Sequence, residues 1–249
     1  MTEKSVSNTI FKLKEGSPIE YRVEKKYLVT DQDLMCIAAR LKAVMSQDIH
    51  QEGDAYRIRS LYFDNILDRC MDENDAGVDQ RQKFRIRIYD PRSQTIHLEI
   101  KEKNNGLTKK LSCDLTREEC AGIINGSLPL SFDSRRPLTQ LRLQMRCALM
   151  RPKAVIEYER TAFVHPTGNV RITFDRNIMA SRHCNAFLSD RVTGMIPGLP
   201  AGIPVLEVKY DELRPDFIAK ALEIGKLQQT AFSKYYLGRL AIQGDFPAV

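Results

Sequence analysis

Arg85-Ile86-Arg87 sets two guanidiniums two residues apart, and a carboxylate stands two residues from a lysine in Glu24-x-Lys26, Glu99-x-Lys101 and Glu207-x-Lys209. Residues two apart in a strand share a face, so each pair is one charged face of a strand. Two neighbouring guanidiniums repel each other unless an anion lies between them. The planar fork of arginine suits phosphate oxygens. Carboxylates among such cations can hold a divalent metal that bridges phosphates. These residue types at this spacing point to phosphate chemistry: a wall that binds and neutralises a polyanion.

The alternation recurs along the chain. Arg22, Glu24 and Lys26 share a face. Glu99 and Lys101 stand opposite Ile96, Leu98 and Ile100, and Thr108, Lys110 and Ser112 stand opposite Leu107, Leu111 and Cys113. Tyr158 and Arg160 share a face. Arg171, Thr173 and Asp175 oppose Val170, Ile172 and Phe174, and Glu207 and Lys209 oppose Leu206, Val208 and Tyr210. In any one strand, alternation ordinarily means an antiparallel sheet with one wet face. Wet faces mix both signs of charge, whereas here cations outnumber acids on strand after strand. Taken together, the rows are expected to face a shared interior, with the apolar rows turned outward.

The elements that would position these rows are eight predicted strands over residues 22–29, 56–63, 83–89, 95–102, 107–115, 153–163, 170–175 and 205–210. Asn104-Asn105-Gly106 is a hairpin signal, and residues 166–169 read as a turn. Thr30 or Asp31 caps a helix with Leu34, Ile37, Ala38, Leu41 and Met45 on one face. Asp64 caps a short helix through Ile66, Leu67 and Cys70. Residues 72–80 read as a loop, with Asp72–Asp75 at an exposed helix end. Thr116 and Glu119 form a capping box for residues 117–124. Further helices run from Pro137 through Leu141, Met145 and Leu149, from Pro215 through Phe217, Ile218, Ala219 and Leu222, and over 232–242. Residues 181–204 read as a long loop. The fold class is α+β, mainly β. An antiparallel eight-stranded β-barrel with a charged lumen is expected, coated by amphipathic helices. Residues 1–19 are expected to be a loose arm and residues 20–249 one domain.

Composition sets the limits. The 249 residues are 43% hydrophobic and 28% charged, an ordinary globular balance. Lys and Arg number 38 against 32 Asp and Glu, a net charge of +6 that favours anionic partners. No apolar run is long enough to span a bilayer, and the first residues lack a hydrophobic signal core, so a cytoplasmic protein without a membrane segment is expected. Nucleic acid is disfavoured, because the cations are spread over many strands and tryptophan is absent. The six cysteines contain no Cys-x-x-Cys pair and read as reduced thiols. His50, His97, His165 and His183 have no ligand spacing, although His97 shares a face with Glu99. Arg57 and Arg59 repeat the Arg-x-Arg pattern and are placed at most at a mouth of the wall. Arg135 and Arg136 are read as a solvated helix face.

EKKYLV, SLYFDN, RIRIY, LEIK, EYERTAF, VRITFD, VLEVKY and FSKYYLG occur here in order. In order and spacing they resemble the vacuolar transporter chaperone (VTC) polyphosphate polymerase domain. That domain belongs to the triphosphate tunnel metalloenzyme, or CYTH-like, superfamily. The likeness covers roughly residues 20–240. It implies a β tunnel lined by basic residues, with a divalent metal, Mg²⁺ or Mn²⁺, held by glutamate. By motif, Lys26, Arg85, Arg87, Arg160 and Lys234 would act on the reacting phosphates. Lys101, Lys110, Arg171, Ser233 and Tyr158 would bind substrate, and Lys209 joins them by its face. Glu207 would be the principal metal ligand, with Glu24 and Glu99 as helpers by face parity. Ala231 stands where the family often carries a basic residue. Membrane-coupled translocation, which goes with the membrane helices of eukaryotic members, is not expected. The implied activity is phosphoryl transfer from a nucleoside triphosphate such as ATP to inorganic polyphosphate. A triphosphatase acting on inorganic triphosphate or nucleotides, and a non-catalytic polyphosphate-binding module, remain open beside it.

Overall fold

A computed structural model describes residues 23–245 except 50, 52, 105–106, 130–132, 212–213, 226 and 231–232. The expected N-terminal arm, His50, the hairpin tip and Ala231 lie outside the described residues. In chain order the elements are β1 (Val23–Leu28), α1 (Asp31–Lys42), β2 (Ser46–Gln47), β3 (Tyr56–Asp64), α2 (Arg69–Asp75), β4 (Arg81–Ile88), β5 (Ile96–Asn104) and β6 (Leu107–Leu115). Then come α3 (Arg117–Asn125), α4 (Arg136–Cys147), β7 (Arg151–His165), β8 (Val170–Ser181), β9 (Ile196–Pro197), β10 (Val205–Tyr210), α5 (Asp216–Ala221) and α6 (Lys234–Gln243).

The strands form one antiparallel sheet in the order β1-β10-β8-β7-β3-β4-β5-β6, with β2 added to β7 and β9 to β8. The sheet curls far enough to bring distant strands together. Lys101 on β5 and Glu24 on β1 sit six places apart in that order, yet Nζ and Oε2 are 3.0 Å apart. The charged rows therefore face one another across a lumen, and the apolar rows point outward, as alternation predicts. Helices cover them. Leu34, Ile37 and Leu41 of α1 and Ile218 and Ala221 of α5 pack with Phe163, Ile172, Phe174, Leu206 and Val208. Cys120, Ile123, Leu138, Leu141 and Met145 of α3 and α4 pack in the cluster that holds Ile86, Ile88, Leu98 and Ile100.

Helix α6 is placed differently. A Cβ on Gly238 would lie 2.3 Å from Ile156 Cδ1 and 3.1 Å from the Ala180 methyl, so α6 lies nearly against the sheet. Ile156 has the parity of Tyr158 and Arg160, which is that of the lumen. Helix α6 thus closes over one end of the concave face.

The predicted caps hold. Thr30 with Asp33 and Thr116 with Glu119 form capping boxes. Helix α2 begins later than expected, at Arg69, and ends on Asp72–Asp75, so the acidic run is a helix end as read and the loop shrinks to residues 76–80. Asn65 Oδ1 accepts from the Leu67 and Arg69 amides and holds the intervening turn open, which leaves Ile66 and Leu67 exposed. Asp64 still serves the helix start, accepting from the amides of Cys70 and Met71. Helix α4 stops at Cys147, and Leu149 lies beyond it with a positive φ of 53°. Strand β8 runs on to Ser181 through a bulge at Asn177, whose φ is 51°.

Candidate functional site

The lumen is organised around four carboxylates. Glu207 of β10 lies 3.2 Å from Lys209 Nζ, 3.5 Å from Arg160 Nη2 and 3.7 Å from Lys26 Nζ. Glu24 of β1 lies 2.7 Å from Lys26 Nζ, 3.0 Å from Lys101 Nζ and 3.9 Å from Lys209 Nζ. Asp175 of β8 accepts both arms of Arg160, at 2.6 and 2.7 Å, and pairs with Lys234 Nζ at 2.6 Å. Glu99 of β5 gathers Arg85 Nε at 2.6 Å, Lys110 Nζ at 2.9 Å and Arg87 Nη2 at 3.6 Å. Tyr158 lies under two of these cations, with Lys234 Nζ 4.9 Å and the Arg160 guanidinium 5.3 Å from its ring centre. Residues from β1, β4, β5, β6, β7, β8, β10 and α6 thus converge. Arg87 is 8% exposed and Glu207 5%, so the centre of the basic wall does not face bulk solvent, although Lys110 at its edge does.

Burial opposes ionisation of these acids, and the surrounding cations overcome it. Lys209, Lys26, Lys234 and Arg160 hold the Glu207 carboxyl well below the usual range despite complete burial. Burial would also raise Glu99 and Asp175. Arg85, Arg87 and Lys110 bring the first down, and Arg160 and Lys234 the second. Glu24 is lowered too, though less simply: after burial, Lys209 is the strongest influence, and the negative charge of Glu207 opposes it. Burial depresses the Lys209 ammonium to about 8 against the pull of Glu207 and Glu24. Cations outnumber carboxylates on this wall. Three lumen-facing polar atoms, Arg87 Nε, Ser60 Oγ and Thr173 Oγ1, are buried without a hydrogen-bond partner among the described residues. Buried donors and acceptors are normally satisfied, so these three are open to a polar ligand.

The carboxylates divide by their neighbours. Glu24 and Glu207 face the same two ammoniums and present hard oxygens to one region, the donor set Mg²⁺ or Mn²⁺ prefers. Glu99 is instead the shared counter-ion of Arg85, Arg87 and Lys110, set apart from that pair. Among the described residues no three His, Cys, Asp or Glu side chains could enclose a metal. A cation at Glu24 and Glu207 would need oxygens from phosphate or water to complete its shell, which suits Mg²⁺ in particular.

The remaining expected residues sit as follows. Arg171 is at the end of the lumen away from α6, 2.6 Å from Asp48 and 3.1 Å from the Tyr56 hydroxyl. Ser233 caps α6, accepting from the Tyr236 amide, and also takes a hydrogen bond from Lys83. His97 pairs with Asp114 at 2.7 Å. Arg59 is not part of the wall. It lies on the opposite face of β3, 2% exposed, and donates to Glu157 and to the carbonyls of Phe187, Ser189 and Asp190. It pins the 184–190 segment to the outer surface. Arg57 has the same parity and sits 3.6 Å from Glu157. Sequence reasoning gave no site role to Asp175, which it placed only in its row, nor to Lys83 and Tyr62. Parity alone places Asp175 and Lys83 on charged faces, whereas Tyr62 lies on the face of β3 opposite Arg57 and Arg59, and the contacts that matter come from strands distant in sequence. All six cysteines are free thiols. No helix among the described residues is long and apolar enough to cross a membrane.

The sequence model of one family, described as the VTC domain, matches residues 21–242. No curated protein matches the chain. Among solved structures, HpAC1 from Hippeastrum, a candidate adenylyl cyclase described as having a dominant triphosphatase activity, is 13% identical, with a TM-score of 0.53. The likeness covers 92% of this chain and 97% of that one. A candidate adenylate cyclase from Bacillus halodurans is 15% identical over 84% of this chain and 93% of its own, with a TM-score of 0.50. At such identities the likeness is one of fold.

Proposed function

We propose, because this chain belongs to the VTC domain family and has the triphosphate tunnel fold, that it is a divalent-metal-dependent polyphosphate polymerase. It would transfer phosphoryl groups from a nucleoside triphosphate, ATP, to inorganic polyphosphate. One observation carries this reading: Lys26, Arg85, Arg87, Arg160 and Lys209 converge in a buried lumen around acids too few to neutralise them. Phosphoryl transfer asks a protein mainly for alignment and charge neutralisation, so no nucleophilic side chain is needed.

In this scheme Arg85 and Arg87, steadied by Glu99, grip one phosphate. Arg160, fixed in plane by its two bonds to Asp175, grips another. Lys26, Lys101, Lys110, Lys209 and Lys234 neutralise the remaining oxygens. Arg171 and the ring of Tyr158 complete the wall. Glu207, with Glu24, would hold Mg²⁺ or Mn²⁺, which neutralises charge on the transferred group when bound. The acceptor oxygen of a phosphate chain is already largely ionised, so no strong general base is required.

A second reading, triphosphatase action with water as nucleophile, draws on a different observation. Helix α6 lies over one end of the lumen, which suits a short substrate that enters and leaves by the other end. Incubation with ATP and Mn²⁺, followed by sizing of the phosphate products, separates the two. Long chains establish the polymerase, and free phosphate alone establishes the hydrolase. Glu207→Gln is expected to abolish either turnover while leaving triphosphate binding measurable. Full activity in that variant removes the metal assignment.

A further inference from the structure

Strand β4 carries its basic column one step beyond Arg85 and Arg87. Lys83 precedes Arg85 by two residues and so shares the lumen face. Its register partner on β5 is Lys101, whose partner on β6 is Lys110. Three lysines therefore lie side by side across three strands, an arrangement that weakens a sheet unless something compensates it. The compensation is uneven. Lys101 reaches Glu24 at 3.0 Å and Lys110 reaches Glu99 at 2.9 Å. Among the described residues Lys83 Nζ donates to neutral oxygens alone, at 2.5 Å to Asn74 Oδ1 of α2 and at 3.0 Å to Ser233 Oγ at the start of α6.

The charged and titratable groups around it are mostly of its own sign. Arg81 shares its strand, Lys26 comes from β1 and Lys101 from β5; the Cys70 thiol comes from α2. The nearby acids are engaged elsewhere. Glu73 pairs with Arg69, Asp75 accepts from the Tyr236 hydroxyl, and Glu102 accepts from Gln82 and Gln140. Among the described residues no carboxylate lies within ion-pair distance of Lys83. Burial, and after it Arg81, Lys26 and Lys101, push its ammonium down to about 7.

We propose that Lys83 is a further phosphate-binding residue, which holds the end of a phosphate chain at the α6 end of the lumen, against Ser233 and beside Lys101. This rests on the reading that phosphates occupy the lumen. A phosphate dianion arriving there supplies the missing counter-ion. Lys83 then binds a proton from solvent as the ligand enters, and Asn74 and Ser233 turn to accept from it or donate to the phosphate.

Calorimetric titration with inorganic triphosphate tests this. It is run without metal near pH 7.5, in buffers of differing ionisation enthalpy, on wild type, Lys83→Gln, Lys83→Arg and Arg87→Ala. Proton uptake is expected in the wild type. Lys83→Gln should bind roughly tenfold more weakly, as expected for loss of a charged hydrogen bond, with reduced uptake. Lys83→Arg should recover affinity without recovering the uptake, because a guanidinium is already charged. Wild-type affinity and uptake in Lys83→Gln overturn the proposal and leave the lumen reading intact. Equal binding by Arg87→Ala and wild type, or no binding by either, overturns the lumen reading and this proposal with it.

Discussion

At the scale of single residues, Asp175 shows why this wall needs its few acids. It is fully buried and is held by Arg160 and Lys234. Removing one partner of a buried ion pair costs far more than the pair contributes, because the surviving charges stay desolvated. Asp175→Asn keeps the shape and removes the charge, and it should lower stability by about 3 kcal/mol. A bound polyanion can replace the lost charge, so inorganic triphosphate should recover more of the melting temperature in Asp175→Asn than it adds to the wild type. Equal shifts in paired melts would mean that Arg160 and Lys234 do not face the anion site. The sequence exposes Asp175 only as one member of a row, by parity with Arg171 and Thr173. Its partners come from β7 and α6, and pairing across strands is set by register and curl, which no local pattern encodes. The same limit hid the split between Glu99 and the Glu24–Glu207 pair.

At the scale of elements, strands were legible because alternation is a local property and helix starts because capping is local. The positions of Arg59 and α6 were not. Arg59 repeats the Arg-x-Arg signature of Arg85 and Arg87, but its odd parity on β3 puts it outside, where it binds carbonyls of a loop. Deciding between the faces requires knowing which of them closes inward. Helix α6 was readable as a helix, yet its seat on the concave side depends on Gly238. Gly238→Val would drive its side chain into Ile156 and Ala180. Overpacking of this kind costs about 1–3 kcal/mol. The strain should fall when Ile156→Ala opens space, so the double variant should be more stable than the sum of the two single losses, a coupling that chemical denaturation can measure. Because α6 carries Lys234 and Ser233 into the lumen, Gly238→Val should also weaken triphosphate binding, and Ile156→Ala should restore part of it. Strict additivity of the two substitutions would mean that α6 does not press on β7.

The whole molecule stores unbalanced positive charge in its interior, and the cost appears in how stability depends on pH. Lys83 and Lys209 have folded-state values of about 7 and about 8, against about 10.4 for an exposed lysine. From about pH 7 to about pH 8 the unfolded chain therefore binds more protons than the folded one, and stability rises. Above that the thiols of Cys70, Cys113, Cys120 and Cys184, which burial raises, stay protonated only in the folded chain and pull the other way. On the acid side the signs reverse in origin but agree in direction. Glu24, Glu99, Asp175 and Glu207 are all lowered, so their contribution is complete above the ordinary carboxylate range and is lost as pH falls below about 4. The free protein should thus melt at a higher temperature at pH 8 than at pH 7, below the range in which the thiols titrate. Saturating inorganic triphosphate should abolish or invert that difference, because the anion gives the buried ammoniums the counter-charge they lack and favours their protonated forms. Raising the salt concentration is a weak substitute, since screening acts on exposed charges far more than on buried ones. Melting curves at the two pH values, with and without ligand, read this directly. A free protein that loses stability from pH 7 to 8 would mean that the lysine rows already have their counter-charges, and the lumen would then have no need of a polyanion.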